Sequence, residues 1–111
     1  MGKTGLDISG EYMQKLADLC RSRGIRMTIV VYPWTNLIEA KDLNSKQVTF
    51  WADFTRKNKI GFINLFPDFI NETPSNIIID KYFLPNDIHW NKEGHTLVAN
   101  SLLSHILSPK H

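Results

Sequence analysis

A chain of 111 residues has the size of one domain, in which a single hydrophobic core can form. Hydrophobic residues make up 42% and charged residues 22%, which is typical of a soluble globular protein and excludes a disordered chain. A formal charge of +2 is too small to drive binding to nucleic acid or anionic lipid. One cysteine excludes an internal disulfide and a multi-cysteine zinc site. No apolar stretch reaches the roughly 18 residues of a membrane span, and no signal peptide is recognisable, so the compartment stays open.

The first predicted elements are a helix and a strand. Residues 1–9 predict a flexible start, or a remnant foreign to the domain, and we expect the domain itself to occupy 10–111. Apolar residues at three- and four-residue spacing predict a helix near 10–23, with Gly24 as its left-handed stop. A nearly continuous apolar run then predicts a strand near 26–32 that is covered on both faces.

A second helix and strand follow. The apolar spacing predicts a helix near 45–58, with Asn44 and Gln47 resembling a capping box. A short apolar run predicts a strand near 61–66. The order helix, strand, helix, strand indicates an α/β fold with a short parallel sheet.

The remaining chain predicts a long loop and a last helix. Residues 67–91 predict an irregular connection that holds one brief extended piece at 77–79, an Ile-Ile-Ile run. The last helix is expected near 92–107, with Asn91 as its amino-terminal cap.

The two predicted strands need neighbours, because strands that are apolar on both faces are normally central in a sheet. The sequence does not supply obvious candidates. We therefore expect either that part of the fold is absent or that another copy covers the exposed sheet edge in a homo-oligomer.

The densest cluster of reactive side chains lies in residues 86–95. In an extended segment alternate side chains point the same way, so Asp87 and His89 can face one site as a carboxylate and a general base. A structural loop histidine bonded to Asp87 fits the same spacing. Together with His95 the two could also bind zinc, but no fourth ligand is apparent, and we predict no metal and no cofactor.

The string Asp-Ile-His-Trp-Asn at 87–91, followed by Gly-His at 94–95, resembles the carboxyl-terminal Asp/His block of the SGNH hydrolases, also called the GDSL esterase superfamily. A helix ending at residues 20–25 and a strand closing at 32–34 resemble the middle strand unit of that family, and residues 82–86 resemble the usual approach to the Asp/His block. The likeness thus covers roughly residues 10 to 107. A single residue separates Asp and His, as in the branch that resembles alginate O-acetyltransferases. Hydrolase and acyltransferase both stay open.

The resemblance implies a flavodoxin-like three-layer α/β/α sandwich that acts on esters through a serine nucleophile. It implies that His89 is the general base and Asp87 its orienting acid. No Gly-Asp-Ser turn is present, since Ser9 follows an isoleucine, and Asn36 does not match the oxyanion asparagine. The chain therefore resembles the carboxyl-terminal part of such an enzyme, carrying half of a Ser-His-Asp triad and inactive alone.

The implied substrate is a small acyl ester or an acylated glycan, and the resemblance to cell-surface acylation proteins is compatible with an extracytoplasmic parent protein. Trp34 and Trp90 are the candidate substrate-binding residues, with core packing as the alternative for each. The competing hypothesis is a non-catalytic α/β module for binding or self-assembly, whose apolar faces are covered by another copy.

Overall fold

The computed structural model describes residues 4–107. Within that span the chain forms six helices and two strands: α1 (Gly5–Ser22), β1 (Thr28–Val31), α2 (Thr35–Glu39), α3 (Lys46–Asn58), β2 (Gly61–Asn64), α4 (Phe66–Phe69), α5 (Ser75–Tyr82) and α6 (Lys92–Leu107).

The two strands form a parallel sheet, in a register that runs from Thr28 opposite Gly61 to Val31 opposite Asn64. Helix α3 lies between them in the sequence and packs against both strands. The predicted α/β class and the parallel pairing are confirmed. The three-layer sandwich is a finer statement that stays a prediction.

Strand β1 is less covered than its sequence predicts. Val31 is buried, but Thr28 is exposed and Val30 retains 36% of its accessible surface. Thr28 and Val30 share one face because side chains alternate along a strand. The expectation that both faces of β1 are buried is therefore wrong within the described residues, where β1 pairs with β2 alone.

Helix α1 begins at Gly5, earlier than the predicted start near residue 10. The Thr4 hydroxyl accepts a hydrogen bond from the Asp7 backbone N–H, and the Asp7 carboxylate accepts one from the Thr4 N–H, which is a capping box. Residues 5–9 are therefore part of α1, and residues 1–3 lie outside the described span; that residues 1–9 are a start foreign to the domain stays a prediction. The predicted stop is confirmed, since Gly24 has a φ of +67°.

Helix α3 is capped one residue later than predicted. The Ser45 hydroxyl accepts a hydrogen bond from the Val48 backbone N–H at 3.3 Å, so the cap is Ser45 and the proposed pairing of Asn44 with Gln47 is wrong. The Asn44 backbone N–H instead donates a hydrogen bond to the Asp42 carboxylate at 3.2 Å.

The predicted extended piece at 77–79 is wrong, because these three isoleucines lie in α5. Pro74 stands at the amino-terminal cap, where its missing N–H costs nothing, and its carbonyl accepts hydrogen bonds from the Ile77 and Ile78 N–H groups. The helix buries Ile78 to 5% exposure against the core, and this burial outweighs the strand preference of a β-branched run.

The core gathers at the carboxyl end of β2 and around the helices that follow it. Its fully buried hydrophobic side chains come from α2 and from the chain after β2: Ile38, Leu65, Phe66 and Phe69. Helix α6 closes this core by packing against α5. At the contact, a β-carbon on Gly94 would lie 2.1 Å from the Tyr82 carbonyl oxygen, so only glycine lets the two helices approach this closely.

Replacing Gly94 with alanine tests this contact. We expect Gly94→Ala to lower the free energy of unfolding by about 1–3 kcal/mol, because the added methyl group would collide with the Tyr82 carbonyl. This backbone group cannot turn aside as a flexible side chain can. The measurement is urea denaturation followed by circular dichroism. Gly5→Ala is the matched control, since a β-carbon there meets nothing within 4 Å, and it should change stability by less than about 1 kcal/mol. Equal stabilities of the two variants would contradict the close contact.

Candidate active site

Asp87 and His89 lie in a closed loop between α5 and α6. The Leu84 N–H donates to the His89 carbonyl at 3.0 Å, and the Asp87 N–H donates to the Leu84 carbonyl at 3.1 Å. Asn86 adopts a left-handed conformation with φ of +56°, which reverses the chain direction. The expectation of an extended segment is therefore wrong, because a turn brings the two side chains together.

The Asp87 carboxylate binds His89 at two points. Oδ1 of Asp87 lies 2.6 Å from Nδ1 of the His89 ring and accepts a hydrogen bond from the His89 backbone N–H at 3.1 Å. A carboxylate at Nδ1 places the ring hydrogen there and leaves Nε2 as the acceptor nitrogen of the neutral imidazole. The arrangement has the geometry of an acid that orients a general base.

The environment of Asp87 favours its ionised form. The hydrogen bond from the His89 ring, together with the bond from the His89 backbone N–H, lowers the pKa of the Asp87 carboxyl below its ordinary value of 3.8. Asp87 is therefore a carboxylate at neutral pH, able to stabilise an imidazolium beside it.

The pair is open to water. The His89 side chain is 76% exposed and the Asp87 side chain 41%. Among residues 4–107, no hydroxyl is hydrogen-bonded to His89, and Ser9, Ser75 and Ser101 lie in the helices α1, α5 and α6. Within the described part of the chain, His89 is thus hydrogen-bonded to Asp87 and to no serine.

Asn91 attaches this loop to its neighbours. Its Oδ1 accepts a hydrogen bond from the Gly94 N–H at 2.8 Å, which confirms it as the cap of α6. Its Nδ2 donates to the carbonyls of Lys81 at 2.9 Å and Phe83 at 3.3 Å. The cap could be predicted from the sequence. The bonds to α5 could not, because no local pattern signals them.

Trp90 places the loop at the carboxyl end of the sheet. Its ring packs on Tyr32, which directly follows β1, with centroids 4.7 Å apart, and meets the His95 ring edge-on at 5.4 Å. The indole Nε1 is buried and has no hydrogen-bond partner within the described residues. In α/β folds this end of a parallel sheet is where ligands bind.

Trp34 is the other predicted substrate-binding residue. It is 52% exposed and caps α2 through its backbone, since its carbonyl accepts hydrogen bonds from Leu37 and Ile38. The ring therefore remains at the surface near the end of β1.

A groove of about 560 Å³ lies beside Asp87. Phe83 and Ile79 contribute apolar surface to its wall, and Glu39 and Asp80 contribute carboxyl groups. Neither Glu39 nor Asp80 is a predicted site residue, because the helices that carry them, α2 and α5, have no clear signal in the sequence. His89, Trp34 and Trp90 are not among the lining residues.

The zinc alternative does not fit the geometry. In the described span, no three His, Cys, Asp or Glu side chains are grouped so that they could hold a metal ion. The His95 ring meets the Trp90 ring edge-on, with centroids 5.4 Å apart. Asp87, His89 and His95 therefore do not form a ligand set.

Comparison with known proteins adds no relative. No protein-family model matches the chain, and neither the curated proteins nor the solved structures contain a significant match. Among residues 4–107, no helix combines the length and apolar character needed to cross a membrane.

The pairing of Asp87 with His89 predicts a specific titration. Because the folded-state pKa of Asp87 is lowered, the ionised carboxylate stabilises the loop above pH 3.8, and this stabilisation is lost as pH falls through the lower folded value. Carbon-13 NMR of the carboxyl groups should place the Asp87 midpoint below 3.8. In His89→Ala the Asp87 midpoint should rise only part of the way to 3.8, since the hydrogen bond from the backbone N–H of residue 89 remains.

Asp53 is the internal reference for that titration. Hydrogen bonds from Lys57 and Arg56 lower its pKa, and neither residue contacts His89. The Asp53 midpoint should be the same in both proteins. An Asp87 midpoint that does not move in His89→Ala would show that the ring does not bind the carboxylate in solution.

Proposed function

We propose that Asp87 and His89 are the acid and base of a Ser-His-Asp triad, and that the chain forms the carboxyl-terminal part of an SGNH-type ester hydrolase or O-acyltransferase. The observation that supports this most is the 2.6 Å contact between Asp87 Oδ1 and His89 Nδ1. The location of the loop beside Tyr32, at the carboxyl end of the sheet, is a second support.

The chemistry follows from the two nitrogens of His89. Nε2 removes the proton of a serine hydroxyl as its oxygen attacks the acyl carbonyl, and the imidazolium is stabilised by the Asp87 carboxylate. The imidazolium then returns the proton to the departing alcohol as the ester bond breaks. The acyl-enzyme is finally attacked by water in a hydrolase, or by an acceptor hydroxyl in an acyltransferase, with His89 again taking the proton.

The proposed triad also needs a serine nucleophile. The resemblance implies that it follows the first strand of the complete fold, so we place it on a further segment of the parent protein. The solvent exposure of His89 supports this placement, because it leaves Nε2 open to a serine supplied by another segment.

The substrate class is a neutral ester, either a small acyl ester or an acylated glycan. The groove beside Asp87 carries the carboxyl groups of Glu39 and Asp80 and is lined by no lysine or arginine. Such a groove repels an anionic substrate. Trp34, exposed near the end of β1, is the proposed contact for the sugar or acyl group, and Trp90 is the proposed wall behind it.

The complete reading frame that encodes this chain provides the direct test. His89→Ala should lower kcat/KM for an aryl acetate by a factor on the order of 10²–10⁴, since it removes the general base. Asp87→Asn should also lower kcat/KM, because the ring loses the carboxylate that orients it. His105 is exposed in the last turn of α6. His105→Ala is therefore the matched control and should retain full activity. Near-normal turnover by His89→Ala would disprove the proposal.

The chain by itself should behave differently. We expect the 111-residue protein to hydrolyse 4-nitrophenyl acetate without saturation, at a rate that His89→Ala changes by less than about twofold, because the nucleophile contributes most of the acceleration. Initial rates against ester concentration give the measurement. Saturable turnover that His89→Ala abolishes would place the serine within this chain, and alanine variants of Ser9, Ser75 and Ser101 would then locate it.

A second candidate function is a non-catalytic module for binding or self-assembly. The observation that favours it is the number of large apolar side chains left at the surface of α1 and α6, among them Tyr12 at 67% and Leu107 at 70% exposure. Surfaces of this kind mark interaction sites. A complete reading frame without esterase or acyltransferase activity would favour this candidate.

A further inference from the structure

Helix α1 has two apolar faces. Its inner face packs on α3, with Gly10 so close to Phe50 that a β-carbon would lie 2.7 Å from the ring, and Ala17 is buried on the same face. On the other side, four apolar residues at helical spacing stand at the surface, each about half exposed or more: Ile8, Tyr12, Leu16 and Leu19. We call these four residues the outer stripe of α1.

The outer stripe is an unusual surface for a helix at the edge of a protein. A surface helix normally carries one apolar stripe and is polar opposite to it, whereas a helix that is apolar on both sides is covered on both sides. At 100° per residue, the centre of the outer stripe lies nearly opposite the Gly10 and Ala17 face. The outer stripe is therefore an apolar face that the described residues leave uncovered.

We propose that the outer stripe of α1 binds the same stripe of a second copy of this chain, in an antiparallel helix pair about a two-fold axis. This inference deepens the second candidate function and does not depend on the ester chemistry. The spacing of the stripe is nearly symmetric about position 14. A two-fold axis there sets Tyr12 against the partner's Leu16, and Ile8 against the partner's Leu19.

The available area suits such a pair. The four side chains of the stripe expose apolar surface on the order of 400 Å², compared with roughly 800 Å² per partner in a standard-size interface. Flanking polar side chains along the 18-residue helix supply the remainder.

The charges of α1 favour a protein partner over a lipid surface. The helix carries both signs, with Asp7 and Asp18 among its acids and Lys15 and Arg21 among its bases. A helix that binds anionic lipid has instead a polar face rich in lysine and arginine. Mixed charges at the border of an apolar stripe are typical of helix pairs.

Sedimentation velocity of the 111-residue chain tests the proposal. We expect a monomer–dimer equilibrium between low micromolar and several hundred micromolar protein. Tyr12→Glu should raise the dissociation constant at least about tenfold, because it sets a charge in the centre of the contact. Ile77→Glu in α5 is the matched control, since Ile77 is an apolar residue 50% exposed on a helix outside the proposed contact, and it should leave the dissociation constant unchanged.

Each other outcome decides against the proposal. A monomer at every concentration would show that the outer stripe is not covered by a second copy, and association lost equally in both variants would show unspecific contact. If Tyr12→Glu is poorly folded by circular dichroism, Leu16→Glu takes its place. Independently, dilution of the unmodified protein should shift the amide resonances of α1 in NMR spectra and not those of α6. Shifts confined to α6 would overturn the proposed interface.

Discussion

The position of the Asp87–His89 pair depends on the hydrogen bonds of Asn91. This one side chain joins three parts of the molecule, since its amide donates to the carbonyls of Lys81 in α5 and Phe83 after it, and its oxygen accepts from the amino terminus of α6. Its backbone N–H also donates to the Tyr82 carbonyl. The loop that carries His89 is therefore closed at its base by polar bonds, while the ring of Trp90 fixes it laterally against Tyr32.

This support fixes the geometry of the Asp87–His89 pair but leaves the His89 ring open to water. General bases act best where solvent is excluded, because a low dielectric strengthens every charge interaction in the site. His89 is mostly exposed, so the loop supplies geometry and another surface has to supply the enclosure. The same holds for β1, whose Val30 face and outer edge are open among the described residues.

The contact between Asp87 and His89 could be predicted from the sequence, but for a partly wrong reason. Asp87 and His89 were expected to share one face of an extended segment, but a left-handed Asn86 brings them together in a turn. Side chains two positions apart can meet either in an extended segment or in a turn. The Ile-Ile-Ile run at 77–79 shows the opposite case, in which local strand preference lost to burial in a helix. Neither Asn86 nor Pro74 carries a signal strong enough to decide this without the tertiary contacts.

Helical periodicity fails in a related way at both ends of the chain. A broad set of apolar positions at three- and four-residue spacing indicates a helix, but it does not distinguish one wide buried face from two faces of which one is exposed. In α6 the predicted single stripe divides, with Val98 buried at 6% exposure and Leu107 exposed at 70%. In α1 the division is sharper, because Gly10 and Ala17 are buried, Leu6 and Met13 pack beside them against the core, and Tyr12 and Leu19 stand outside. Gly10 lets α1 approach α3 closely at Phe50. Since apolar area drives association, the outer face of α1 contributes to stability only when it is covered.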